Sequence, residues 1–241
     1  MNEVSKISKG IFIIGTDTDV GKSVITAGLV YLLRNNGYNA CSFKAVQSGG
    51  VKRGEKLVAE DVELVKQVCN LTEKQENMVP YCLEPAVSPH LAARLTGVEI
   101  KKEKIIEAYN NLAQRYEYII AEGSGGLVVP LIKNDYFIYD LVKDLNLPVV
   151  IVSRAGVGTI NHTVLTVEYC YKLGFEVKGI FLNRYTGEEY EKDNIRTIEN
   201  LTGQKVLSIA DIKDLNHNYD KLKDEFESKF DIKNVINMFE N

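Results

Sequence analysis

Short apolar runs alternate along the chain with longer segments whose apolar residues recur every three or four positions. Residues 11–14 (IFII) form a continuous apolar run, as expected of a strand covered on both faces. The stretch 22–36 follows with Ile25, Leu29, Leu32 and Leu33 on one stripe and Gly37 as its stop, which predicts a helix. The same reading predicts a strand at 39–44, short helices at 61–69 and 88–96, and a helix at 101–115 carrying Ile105, Tyr109 and Leu112 on one face. A strand at 118–122 runs into the glycine-rich EGSGG. Beyond it come a helix at 136–146, a strand at 148–153, a helix at 161–173 stopped by Gly174, a strand at 177–182, a helix at 188–201 and a last strand at 205–209. From residue 220 onward Leu222, Phe226, Phe230, Val235 and Phe239 mark an amphipathic docking helix, and its stripe suits core docking or dimer packing equally. The segment 50–88 is the least regular, and its charged VKRGEKLVAED reads as a mobile loop near a site. Strand-helix alternation throughout implies an α/β fold with a mostly parallel, doubly wound sheet and helices on both faces, spanning 1–241 as a single domain.

Composition narrows the function classes. The 241 residues are 45% hydrophobic and 26% charged, enough for a sizeable core and a soluble surface. A net charge of −4 argues against a nucleic-acid partner held by a general positive field. No stretch approaches the ~18 apolar residues of a membrane span, and MNEVSKISKG has no apolar signal core. The four cysteines make no CxxC pair and no zinc spacing, so reduced, mostly buried thiols and a cytoplasmic location are expected.

The first chemical signal is GTDTDVGKS at 15–23. A phosphate-binding loop has Gly, four residues, then Gly-Lys-Ser/Thr. Here five residues separate Gly15 from Gly21, so Thr16 occupies the place of the first glycine. The position between a predicted strand and a predicted helix is the one such a loop needs, because backbone N–H groups and the helix N-terminus then face an anion. Gly21 allows close backbone approach, Lys22 reaches β- and γ-phosphates, and Ser23 offers a hydroxyl to Mg²⁺. Partition-type ATPases carry a lysine five residues before the loop lysine, and that position is Asp17 here. No Asn-Lys-x-Asp guanine-reading motif is present.

A phosphate loop also needs a carboxylate at a neighbouring strand end to organise the metal. Glu122 ends the strand YIIAE and precedes Gly123, Gly125 and Gly126, which permit a tight turn. Asp61 is a second candidate ligand. Lys44 ends the predicted second strand, at the carboxyl edge where ligands bind in such sheets, and the small-residue stretch containing Ser48 follows it.

Together GTDTDVGKS, KAVQSG (44–49), SPH (88–90), EGSGG (122–126), GTINH (158–162) and LNR (182–184) closely resemble the dethiobiotin synthetases, in family order and over most of the chain. The resemblance implies ATP-dependent carboxylation and ring closure of 7,8-diaminononanoate with CO₂, by way of a carbamate and its mixed anhydride with phosphate, in a P-loop fold that is usually a homodimer. It implies that Asp19, Val20, Gly21, Lys22, Ser23 and Val24 hold the phosphates, with Gly123, Ser124 and Gly125 beside them. Ser23, Asp61 and Glu122 would surround Mg²⁺, and Lys44 and Ser48 would face the diamine and its carbamate. Asn183, next to Arg184, would read the adenine edge, and Gly158, Thr159, Ile160 and Asn161 of a partner subunit would receive the substrate carboxylate.

The residue types suit that chemistry independently. A carbamate and a triphosphate repel each other, and Lys22, Lys44 and Mg²⁺ supply the cations phosphoryl transfer requires. Two departures stand out: Ala45 occupies the family's usual proline position after Lys44, and LSIAD at 207–211 lacks the family's Gly-x-Ile-Pro. The latter puts a nucleotide contact near Ile209 to Asp211 in doubt. Two alternatives are another amide-forming P-loop ligase, which would need a glutaminase cysteine, and a non-catalytic nucleotide-binding paralogue, which would have lost Lys44 or Glu122.

Overall fold

The computed structural model describes residues 8–213, 215 and 219–240. In chain order its elements are β1 (Lys9–Gly15), α1 (Lys22–Asn35), β2 (Ala40–Lys44), β3 (Gln47–Ser48), β4 (Val51–Arg53), β5 (Lys56–Val58), α2 (Glu60–Cys69), α3 (Gln75–Met78) and β6 (Cys82–Leu83). There follow α4 (Pro89–Thr96), α5 (Lys102–Ala113), β7 (Tyr118–Gly126), β8 (Pro130–Ile132), β9 (Tyr136–Phe137), α6 (Ile138–Leu145), β10 (Val149–Arg154) and α7 (Thr159–Lys172). The remainder is β11 (Val177–Tyr185), α8 (Glu189–Thr202), β12 (Val206–Ala210), α9 (Tyr219–Lys229) and α10 (Ile232–Asn237).

Six strands form one parallel sheet in the order β12-β11-β10-β1-β7-β2. The strand β1 is central and apolar on both faces, and Ile11, Phe12, Ile13 and Ile14 are fully buried. From β1 the chain crosses past β7 to the edge strand β2, then returns through β7, β10, β11 and β12 in the opposite direction. Right-handed crossovers therefore place α1 on one face and α5 to α8 on the other. The reversal at β1 opens a crevice at the carboxyl ends of β1, β2 and β7, where a doubly wound sheet binds its ligand.

The C-terminal residues settle where their stripe faces. Leu222, Phe226, Phe230, Val235 and Phe239 are buried within this chain, and α9 and α10 lie against α1. The predicted single helix is two, because the chain breaks at Phe230 and restarts with Asp231 as N-cap, its carboxylate accepting from the Lys233 N–H at 2.8 Å. Phe226 fills the notch left by Gly28, where a Cβ would stand 2.2 Å from its ring.

Other boundaries differ from the sequence expectation. The charged segment read as a mobile loop holds an antiparallel hairpin, β4 with β5, and Arg53 ties it to Glu63 of α2 at 2.7 Å. The helix expected at 136–146 begins at Ile138, because Tyr136 and Phe137 pair with β8. The helix expected from 161 starts at Thr159, behind Gly158 at φ 90°. The strand expected at 118–122 continues through the glycines to Gly126, since they pair alongside the end of β1.

Burial pushes the thiols of Cys41, Cys69 and Cys170 up to about 12 and that of the half-buried Cys82 to about 11. Iodoacetamide near neutral pH should therefore modify Cys82 first and the other three only after unfolding. Rapid native-state labelling of Cys41, read by mass spectrometry, would contradict that burial.

Candidate active site

The phosphate loop shows what its extra residue does. The Thr16 N–H donates to the Val152 carbonyl at 2.9 Å, so the β1–β10 pairing continues one residue beyond Gly15 before the chain turns. Gly15 cannot bear a side chain. A Cβ there would meet Asp17 O at 2.6 Å, Lys22 Nζ at 2.8 Å and Gly125 O at 2.9 Å. Gly21 stands at φ 98°, and the first turn of α1 has neither a side-chain cap nor an acidic residue. Its free N–H groups are thus available to an anion. Lys22 folds back over the loop, donating to Asp17 O at 3.1 Å. Burial first, and then the Lys44 charge, draw its ammonium below the ordinary lysine value, against the carboxylates of Glu122, Asp61 and Asp19.

Sheet register brings the other groups to this loop. In the β2–β7 pair Lys44 lies beside Glu122, and in the β1–β7 pair Glu122 lies beside Ile13, near the start of the loop. The buried Lys44 ammonium bonds Glu122 Oε1 and Asp61 Oδ2, each at 2.6 Å. Ser23 Oγ donates to Glu122 Oε1 at 2.9 Å. Burial opposes the charge on Lys44, but the two carboxylates and their hydrogen bonds outweigh it and raise its pKa. Burial likewise opposes ionisation of Asp61, yet Lys44 and the Ser23 hydroxyl hold its pKa below the usual carboxylate range. Lys44, Asp61, Glu122 and Ser23 thus share one hydrogen-bonded cluster, with Lys22 beside it.

The cluster floors a cleft of about 610 Å³. Of the sequence candidates, Asp19, Gly21, Lys22, Ser23, Val24, Lys44, Ser48, Asp61, Glu122, Ser124, Gly125 and Arg184 line it. Others lie elsewhere. Val20 is buried beneath the loop, and Gly123 alternates to the far face of β7, against Phe12 and Ile138. Asn183 is buried under Gly21 and donates to Val20 O at 3.0 Å, supporting the loop from below. Gly158 to Asn161 open α7 and do not line this cleft.

Gln47, Glu60 and Arg154 line the cleft without having been singled out in the sequence. Arg154 ends β10 at the carboxyl edge as Lys44 ends β2, and that position was the available signal. At the far end, the Ala210 N–H is held by Glu225 of α9 at 2.7 Å, so the departure from Gly-x-Ile-Pro coincides with a clamp from the C-terminal helix.

Ser23, Asp61 and Glu122 offer a hydroxyl and two carboxylates in one cluster, a hard-oxygen set that fits Mg²⁺ shared with nucleotide phosphates. Among the described residues no group of three or more His, Cys, Asp or Glu side chains suggests a metal held by protein alone.

A family profile described as an AAA domain matches residues 9–217. The ATP-dependent dethiobiotin synthetase of Clostridium kluyveri is 46% identical over 239 residues, covering 97% of this chain and 99% of that protein. The enzyme of the same name from Caldicellulosiruptor saccharolyticus is 39% identical, covering 96% and 99%. This chain belongs to the ATP-dependent dethiobiotin synthetase family. The synthetases are ligases, and the mostly parallel P-loop sheet described above is their scaffold here. Solved structures share that fold at low identity. A ParA family ATPase from Chlorobium tepidum aligns at TM-score 0.57 and 14% identity over 97% of this chain and 98% of its own. MinD of Pyrococcus horikoshii, complexed with Mg-ADP, aligns at 0.55 and 15% over 97% of each. No helix among the described residues is long and apolar enough to cross a membrane.

Proposed function

We propose that this chain carboxylates 7,8-diaminononanoate with CO₂ and closes the ureido ring of dethiobiotin at the expense of ATP, with Mg²⁺. The observation that carries the reading is Lys44, held between Glu122 and Asp61 at 2.6 Å from each, in the same cleft as Lys22 of the phosphate loop. One cation thereby faces the triphosphate and a second faces its acceptor.

One amine attacks CO₂, forming a C–N bond and losing a proton to give a carbamate. A carbamate oxygen attacks the γ-phosphorus, and the bond to ADP breaks. The second amine attacks the carbonyl carbon, the C–O bond to phosphate breaks, and the ring closes with loss of a proton. Lys22 stabilises charge on the transferring phosphoryl group, and Lys44 holds the anionic carbamate against it. Bound Mg²⁺, held by Ser23, Asp61 and Glu122, would neutralise phosphate charge. Ser48 orients the diamine, and the cleft contributes by positioning the second amine. Arg184 borders the nucleotide, and Asn183 supports the phosphate loop from beneath Gly21. The Gly158–Asn161 turn serves a second copy, where it receives the substrate carboxylate in a homodimer. Its neighbour Val157 is 95% exposed in this chain, as an interface residue of a single subunit would be. The enzyme works in the cytoplasm.

The deciding experiment is phosphate release from Mg-ATP and bicarbonate, with and without the diamine, followed by mass detection. Diamine-dependent release, with a product heavier by one carbonyl and lighter by two hydrogens, is expected. Diamine-independent release, or none, would reject the reading. The thiols bear on the amide-ligase alternative, since every cysteine has a raised pKa, which disfavours a nucleophilic thiolate.

Glu122→Gln is expected to raise the Mg²⁺ concentration needed for half-maximal turnover by about tenfold or more, since an amide oxygen is a weaker ligand than a carboxylate. A Mg²⁺ titration matching the parent enzyme would remove Glu122 from the metal site.

A further inference from the structure

Thr16 stands where phosphate loops otherwise carry glycine, and its side chain is engaged. Thr16 Oγ1 donates to Ser153 Oγ at 2.9 Å. Ser153 Oγ lies 3.0 Å from Thr159 Oγ1, which lies 3.3 Å from Thr163 Oγ1. Ser153, Thr159 and Thr163 are all buried. Four hydroxyls thus run from the start of the phosphate loop, across the end of β10, into the first turns of α7. Arg154, next on β10, gives the loop a second hold by donating to Thr18 O at 3.3 Å.

A phosphate loop must present several N–H groups at fixed positions, and a loop that orders only on binding loses affinity to the entropy of that ordering. Glycine at the start of a loop adds conformational freedom. Threonine with an anchored hydroxyl removes it. Pairing of the Thr16 N–H with Val152 O fixes the backbone at the same residue, so main chain and side chain both tie this end of the loop to β10.

We propose that Thr16 and Ser153 are positioning residues for the nucleotide. Their hydroxyl chain holds the phosphate loop against β10 and α7 in its binding-competent shape before ATP arrives. The effect falls on binding of ground and transition states alike, so KM for ATP should rise on its loss while kcat changes little. The proposal deepens the ATP-dependent reading of the same cleft, and its test uses ADP alone so that it does not require the diamine to be the acceptor.

Calorimetric titration with Mg-ADP should show a Kd raised about tenfold in Thr16→Val and restored to within about twofold in Thr16→Ser, the scale of one buried hydrogen bond. Ser153→Ala should weaken ADP similarly, and the double variant should be little worse than either single one, because both changes break the same chain. Thermal melts run alongside. A lowered Tm with unchanged ADP affinity in Thr16→Val and Ser153→Ala would reduce the chain to a structural one and overturn the proposal, as would additive effects in the double variant. If Thr16→Val fails to fold, Ser153→Ala against Thr16→Ser carries the same comparison. Failure of diamine-dependent turnover with these ADP effects intact would reject the substrate reading and leave this inference standing.

Discussion

Replacing Lys44 by alanine is expected to lower kcat by about 10²-fold or more, the cost of removing one preorganised charge donor from phosphoryl transfer. Lys44 is buried and is bonded to both Glu122 and Asp61. Its loss removes the cation proposed to face the carbamate and also leaves the buried Glu122 carboxylate with only the Ser23 hydroxyl among its described side-chain hydrogen bonds. An uncompensated buried carboxylate destabilises a fold, so some loss of thermal stability should accompany the loss of rate. Steady-state turnover of the folded variant at saturating Mg-ATP separates the two, with ADP affinity as the check that the phosphate loop is intact. Near-normal kcat would exclude Lys44 from the chemistry.

The largest stability effect is expected at Phe226. It is fully buried, packs against Phe230 with ring centroids 5.2 Å apart, and occupies the hollow made by Gly28 of α1. Phe226→Ala should lower unfolding free energy by about 3–5 kcal/mol, from lost burial plus the cavity left behind. Gly28 supplies a sign test. In the parent protein Gly28→Ala drives a Cβ to within 2.2 Å of the ring and should destabilise by about 1–3 kcal/mol. In the Phe226→Ala background the same change meets no ring and gains helix propensity of about 1 kcal/mol, so it should stabilise. Denaturant unfolding of the four proteins measures this cycle. A Gly28→Ala effect of one sign in both backgrounds would show that Phe226 does not occupy the Gly28 notch. The same contact makes α9 part of the core that supports α1, the helix that follows the phosphate loop.

Elements with strong periodicity were legible before the structure. The run at 11–14, the stripe Ile25-Leu29-Leu32-Leu33 and the strand 148–153 depend on local pattern, and each lies within a few residues of its expected position. Within 50–88 the helix at 61–69 was legible and stands as α2, but the short strands were not, because β6 pairs with β3 across the chain and the exposed β4–β5 hairpin is tied to α2 through Arg53. Charged residues in short exposed strands give no alternating signal. The C-terminal stripe was visible, but a stripe does not name its partner, and only packing against Gly28 does so.

The sequence alone determined the sheet class, the phosphate loop with its lysine and hydroxyl, the strand-end placement of Lys44, and the place of Glu122 on the strand that runs into EGSGG. All of these follow from local periodicity and from residue types whose chemistry is specific. Tertiary structure decided which groups meet. Lys44 and Glu122 are 78 residues apart in the chain, and they touch only because β7 inserts between β1 and β2 in the sheet order. Asp61 reaches them because α2 packs beside α1, and Asn183 turns beneath Gly21 rather than into the cleft. The meaning of Thr16 was hidden for the same reason. Its hydroxyl bonds Ser153, which only the parallel pairing of β1 with β10 brings within reach, and Ser153 in turn meets Thr159 at the start of α7.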